Sequence, residues 1–414
     1  MTPVAAHRQQ GMTGIKALTF VMFMVFAMTT DSVGIIIPEI VKTFRLSLTA
    51  AGTFQYASMA GIAIAGFFLG HLADTFGRKP TIVVGLTLFA IASYLFAAGN
   101  SFLYFSILLA LSGIGIGVFK TGALALIGDL AKSTAEHTSL MNMVEGFFGV
   151  GSIIGPAILA RLLATGASWK SLYILAGTIC VFLILMALRA QYPHTINASD
   201  ESIDLRHTVA AMKNRYALGF SLGAFLYVAT EAAVYVWMPT LLAGYRGTGA
   251  ELAAYSISIF FILRAAGRFI GAWLLERFYW TKVLALFSGV IMICFIGAVI
   301  GGPAAALYLL PVSGLFMSVI YPSINSKGIS CFPKSEHGAV AGVILFFTCL
   351  SAVIGPLAMG AVSDAMGHPK YGFVLATGFA GLLFAGLLLN WMFDPTRELL
   401  KCLDKTEYAS QRKA

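Results

Sequence analysis

About a dozen apolar stretches, each on the order of 20 residues or longer, recur along this chain with short polar intervals between them. At about 1.5 Å of rise per residue, such a stretch crosses a hydrocarbon layer of about 30 Å as a helix. No other feature constrains the fold as tightly, because backbone polar groups inside lipid must be satisfied within their own segment. The stretches fall near 17–41, 50–72, 80–99, 103–128, 138–163, 170–190, 217–243, 252–275, 282–301, 305–327, 338–363 and 371–393. An all-α membrane protein of twelve transmembrane helices is expected, with no large domain outside the bilayer. The first stretch follows a basic start but is longer than a signal-peptide core and lacks a small-residue cleavage site, so it is expected to stay as the first span.

Charge supports this reading. Only 11% of the 414 residues are charged and 58% are hydrophobic, against about 25% charged in soluble domains. The formal charge of +9 could point to nucleic acid, but the Lys and Arg residues sit in short loops between apolar runs. That placement is the positive-inside pattern. One set of loops and tails carries roughly 18 Lys and Arg against about 6 in the other, and the richer set holds Arg78, Lys79, Lys132, Lys213, Arg215, Lys327 and Lys334. Both termini are therefore expected on the cytoplasmic side of an inner (plasma) membrane, with lipid and no nucleic acid as partners. The five cysteines are scattered without metal spacing and are read as small packing residues.

The chain repeats itself. Pro38 and Pro239 lie 201 positions apart, each followed by an aromatic and an Arg, Phe44-Arg45 and Tyr245-Arg246. SGIGIGVFKTG from Ser112 aligns with SGLFMSVIYPS from Ser313, again 201 apart, and Gly155-Pro156 with Gly355-Pro356 at 200. Matches on three helix pairs at nearly one offset imply two pseudo-symmetric six-helix bundles, 1–190 and 217–395. A cytoplasmic linker at 191–216 joins them, and 396–414 forms a cytoplasmic tail. The solute site is expected between the bundles near the midplane, and the fold does not require more than a monomer.

The loop Gly70-His71-Leu72-Ala73-Asp74-Thr75-Phe76-Gly77-Arg78-Lys79 resembles motif A of the major facilitator superfamily, departing at Thr75 where a basic residue is usual. Asp74 stands at a helix end where it can pair with Arg78 or a neighbouring helix terminus, Gly70 permits close approach of another helix and Gly77 permits the turn. The resemblance implies a latch between the halves built on Gly70, Asp74, Gly77, Arg78 and Lys79, with a degenerate counterpart at 272–282. Gly151 to Pro156 partly resembles motif C of drug antiporters, which leaves a drug or metabolite exporter as one alternative. FLYVATEAAVYVWMPTLL, Gly267-Arg268, VIYPSINSKG and NMVEGFFG are similar to the fucose-galactose-glucose proton symporter branch. That likeness implies proton-driven movement of a sugar-like solute. In that branch the position of Lys120 holds a Glu, the acid of the first span lies about one turn nearer the proline than Asp31, and an amide is usual at Glu145.

Six charged residues stand out within the apolar spans, away from their ends: Asp31, Lys120, Glu145, Glu231, Arg264 and Arg268. Each costs about 2.5 to 3.5 kcal/mol at a helix centre and needs a partner, a wet crevice or a role. Counting from the cytoplasmic ends puts Lys120, Glu145 and Arg268 roughly eight residues deep, and Asp31, Glu231 and Arg264 roughly twelve to fifteen, near the midplane. Asp31 and Glu231 are near-equivalent in the repeat and are read, with Glu145, as candidate proton carriers; the alternative is a fixed ion pair. Lys120 and Glu145 could pair directly, with Lys120 released to bind an anionic or hydroxyl-rich group. Arg268 is read as snorkelling toward headgroups, and Arg264 as the better anion ligand. Asn142, Tyr235, Trp237 and Tyr321 complete the candidate substrate-binding set.

His71, His137 and His337 are placed in cytoplasmic loops. No phosphate loop, nucleophile elbow, dinucleotide fingerprint or metal spacing stands where it could work. A transporter of a small molecule, coupled to protons and using no cofactor, is expected rather than an enzyme. A small organic anion bound by Lys120 and Arg264 stands as the alternative to the sugar.

Overall fold

The computed structural model describes residues 3–45, 53–193, 205–242 and 245–408, and among them there are helices and no strand. Among the described residues, nine helices are long and apolar enough to cross a membrane. One of these, Trp280–Ser330, contains two spans, because Gly302 (φ 66°) followed by Pro303 reverses the chain within it. A left-handed φ is open to glycine at little cost, and Pro then starts the next helix. With the shorter apolar helix Thr53–Leu69 and with Arg78–Leu95, twelve spans result. Part of the expected linker, 194–204, lies outside the described residues; Leu205–Lys213 within it is helical.

Three spans are interrupted beside candidate site residues, Asp31, Glu231 and Tyr321. The first runs as Pro3–Thr30, turns at Asp31 and Ser32, and resumes at Val33–Phe44. The seventh, Arg215–Ala232, passes into a widened π turn, Ala233–Trp237, two residues after Glu231. The tenth breaks at Ser318-Val319 and resumes at Ile320, one residue before Tyr321. Such interruptions free backbone groups and redirect side chains, and within a membrane they survive only where protein or water satisfies them. The single helix expected over 17–41 is thus two pieces.

The repeat is visible in the packing. Gly155 of the fifth span faces the first span so closely that a Cβ there would lie 2.1 Å from the Met28 carbonyl oxygen. Gly355, its mate in the eleventh span, faces the seventh in the same manner, with a Cβ 3.1 Å from Ala229 Cα. The run Gly151 to Pro156 therefore acts here as a small-residue helix contact. The halves meet most closely along the second and eleventh spans, where a Cβ on Gly342 would lie 2.1 Å from the Gly66 carbonyl oxygen and Phe67 packs on Phe346 at 5.2 Å.

Candidate functional site

We call the end of the bundle that holds the two terminal segments the basic end, and the opposite one the far end. Among the described residues, the hydrogen bonds and ion pairs joining the halves all gather toward the basic end. Asp74 accepts hydrogen bonds from the backbone N–H of Gly338 (3.0 Å) and Ala339 (2.9 Å), the first turn of the eleventh span. Helix N-termini present unpaired N–H groups and positive potential, so a carboxylate belongs there. Arg78 holds Asp74 in place at 2.5 Å, reaches Asp129 at 2.9 Å, and donates across the seam to the Lys334 carbonyl at 2.6 Å. Burial pushes the Asp74 carboxyl up to about 6, against the opposing pull of Arg78 and the two amide donors. Lys79 stays within its own half, donating to the carbonyls of Leu188 and Ala190.

A second band of inter-half contacts lies beside this latch. His137 and Thr138 of the fifth span meet Ser326 of the tenth at 2.7 and 3.0 Å. Lys327 donates to the Thr134 carbonyl, and Asp404 of the terminal segment caps Thr134 through its N–H at 2.8 Å and its hydroxyl at 3.1 Å. His137 and His337, expected in loops, are instead fully buried within helices and 6.0 Å apart between ring centroids. Lys327 and Lys334, counted as loop cations, are also buried. The fifth, tenth and eleventh spans extend to the seam, so residues that hydropathy assigns to loops are covered by the other half.

Deeper in the bundle, the Glu145 carboxylate pairs with Arg268 of the eighth span at 3.2 Å, and Arg268 also donates to the Glu145 carbonyl. The pairing of Glu145 with Lys120 does not form, and Arg268 does not reach for headgroups: its side chain is 1% exposed. The reason is tertiary. Spans five and eight face one another across the two halves, and Gly149 leaves room for the guanidinium at 3.1 Å from its missing Cβ. This ion pair joins the two halves on the basic-end side of the central charges.

Beyond the pair, two clusters face each other. In the first half Asp31 accepts hydrogen bonds from Ser152 and from Thr30 (3.3 Å), while Lys120 lies 4.8 Å from the centre of the Phe148 ring. The Ser152 oxygen also lies 3.1 Å from the Phe148 carbonyl oxygen, a second acceptor for its one hydrogen, which places Asp31 beside the wall on which Lys120 rests. In the second half Glu231 accepts from the Tyr227 hydroxyl at 2.7 Å and pairs with Arg264 at 2.6 Å. Tyr227 stacks on Tyr321 at 6.0 Å, and Tyr235 on Phe261 at 6.4 Å. Arg264 and Lys120 both act electrostatically on Asp31. Asp31 and Arg264 are mostly buried but keep some exposed surface.

The remaining candidates divide. Arg264, read as an anion ligand, already has a carboxylate partner. The Trp237 indole N–H donates to the Pro356 carbonyl (3.2 Å), and its ring packs on Gly360 of the eleventh span. The Asn142 amide donates to the Thr138 carbonyl of its own helix, leaving its buried oxygen without a partner among the described residues. Lys120 has no ion pair or hydrogen bond among the described residues and is only half-buried. Sequence reading missed Ser152, the group that holds Asp31, and Asp404, which ties the terminal segment to the first half. A lone Ser in an apolar helix and an Asp in a polar tail carry no signal by themselves.

Residues 19–356 match the profile of the Major Facilitator Superfamily. The chain is 26% identical over 396 residues to the L-fucose-proton symporter of Escherichia coli (strain K12), covering 85% of this chain and 87% of that one. It is 23% identical over 403 residues to the gallate transporter of Pseudomonas putida, covering 89% and 88%. Its fold is similar to the crystal structure of FucP in the outward conformation, with a TM-score of 0.76 at 22% identity over 90% of this chain and 98% of that one. With twelve spans in two repeated halves and charged groups enclosed between them, the chain belongs to the Major Facilitator Superfamily, a family of multi-pass membrane transporters and not of enzymes.

Proposed function

We propose that this protein is a proton-coupled secondary transporter of a small hydroxylated organic anion, working by alternating access. The observation that carries the reading is Lys120, a partly accessible ammonium without a carboxylate partner among the described residues, resting on an aromatic ring within electrostatic reach of Asp31. An uncompensated cation in a membrane interior is costly unless a ligand or water meets it. The interior holds three carboxylates, Asp31, Glu145 and Glu231, and three cations, Lys120, Arg264 and Arg268. Protonation of Asp31 leaves one positive charge in excess, so a proton and a monoanion enter together without burying net charge. Asp31 is the better proton carrier because hydroxyl groups hold it, whereas Glu231 and Glu145 are each tied to an Arg.

The side chains of Tyr227, Tyr321 and Asn142 supply donors and acceptors for hydroxyl groups around this charge. Closure at the basic end, taken as cytoplasmic from its Lys and Arg excess, makes the present conformation the outward-facing one. Rocking of the halves then breaks the Glu145–Arg268 pair and the Asp74 latch and opens the other side.

A neutral sugar is the second reading, favoured by likeness to the L-fucose-proton symporter; the gallate transporter supports the anion. Counterflow in proteoliposomes decides between them, using sugars, sugar acids and hydroxybenzoates with and without an imposed pH gradient. The expected result is exchange of acids and their accumulation when the side facing the far end is acidic. Exchange of neutral sugars with no acid exchanged removes the proposed substrate class.

A further inference from the structure

Away from the central clusters, a groove of about 410 Å³ runs between the seventh and twelfth spans and opens on the outer wall of the second half near the basic end. Its floor is made by Phe220, Leu226 and Ile324, and its lips include Leu222, Leu382 and Leu389, which are exposed. Along the seventh span it extends from Arg215 to Leu226 and along the twelfth from Leu382 to Phe393. At 1.5 Å per residue that is roughly 16 Å, most of the depth of one bilayer leaflet. The furrow exists because Gly219 and Gly386 carry no side chain: a Cβ at either would meet nothing within 4 Å.

The mouth of the groove is polar. Arg215 is exposed, lies over the Tyr216 ring at 4.8 Å and donates to the Tyr216 hydroxyl at 2.9 Å, with no carboxylate partner among the described residues. Thr396, which also lines the groove, is 2% exposed, and its hydroxyl has no hydrogen-bond partner among the described residues. A buried hydroxyl without a partner is costly and marks the place of an absent one. An apolar furrow of leaflet depth, ending at headgroup level in a guanidinium that no carboxylate among the described residues neutralises and in an unsatisfied hydroxyl, has the chemistry of a lipid and not of a soluble metabolite.

We propose that this groove is a binding site for one glycerophospholipid, with an acyl chain along Gly219 and Gly386 and its phosphate at Arg215 and Thr396. The site is separate from the solute path and does not depend on which solute is moved. Native mass spectrometry of the purified full-length protein with added phosphatidylglycerol tests it. One lipid is expected to survive activation that strips the others. Arg215→Ala is expected to lower its occupancy about fivefold, the loss of one cation near a phosphate. Thr396→Val is expected to lower it as well. Gly386→Leu and Gly219→Leu fill the furrow and are expected to abolish the retained adduct. Gly378→Leu, at an equally open position of the same helix outside the groove, is expected to keep it.

Thermal unfolding without lipid shows whether each variant is folded, and occupancy is compared among the folded ones. Equal retention in wild type, Arg215→Ala and a folded furrow-filling variant overturns the proposal. So does equal loss in Gly378→Leu. An adduct formed with inorganic phosphate alone also overturns it, since the acyl chain is then not what is recognised.

Discussion

Replacing Glu145 by Gln isolates the contact that separates the central charges from the basic end. The change keeps size and shape, and an amide oxygen that can still accept from Arg268, but it removes the negative charge paired with that buried guanidinium across the seam. Stranding one member of a buried pair costs about 3 to 5 kcal/mol. That cost falls on the closed arrangement alone, because opening hydrates Arg268. At 1.4 kcal/mol per decade, the open-to-closed ratio rises about 100- to 4,000-fold. Cys331 is a built-in reporter: it is buried and follows Ser330, whose hydroxyl meets His137 across the seam at 3.1 Å. In a Cys402→Ser background, which removes the exposed cysteine, maleimide labelling of Cys331 in detergent is expected to accelerate at least about 100-fold in Glu145→Gln. Cys180, buried inside the first half, is expected to stay unreactive and so separates opening from unfolding. The double variant Glu145→Leu with Arg268→Met removes both charges and is expected to recover most of the protection. Unchanged Cys331 labelling in Glu145→Gln refutes the assignment of this pair as the inner closure.

Asp31→Asn is expected to abolish accumulation driven by a pH gradient while preserving exchange of solute in counterflow, and an unaltered pH dependence removes Asp31 from coupling. Glu231→Gln leaves Arg264 without its partner and is expected to impair exchange as well as accumulation, measured in the same assay. Lys120→Ala is expected to weaken an anionic solute about ten- to a hundredfold, the worth of a charge-assisted contact, with little effect on a neutral analogue; equal weakening of both contradicts the anion reading. Gly342→Leu drives a side chain into the Gly66 backbone and is expected to prevent closure at the basic end, seen as rapid Cys331 labelling with loss of transport.

Hydropathy, repeat offset and the loop beginning at Gly70 determine the topology of this protein without coordinates, for a plain reason. The bilayer imposes one length and one secondary structure on every span, so the spans can be counted, and a duplicated half keeps its offset. The same reasoning places Asp31 and Glu231 at near-equivalent points of the first and seventh spans; that both points are irregular comes only from the structure. What it leaves undecided is who pairs with whom. Counting depth puts Lys120 beside Glu145, since both lie at one level on consecutive helices, yet the carboxylate belongs to Arg268. Depth is a local property of one helix, whereas a partner depends on the rotation of each helix and on which face meets the other half. The buried His137, His337, Lys327 and Lys334 illustrate the same limit: polarity along the chain marks them as solvent-facing, and only the docking of the two bundles covers them.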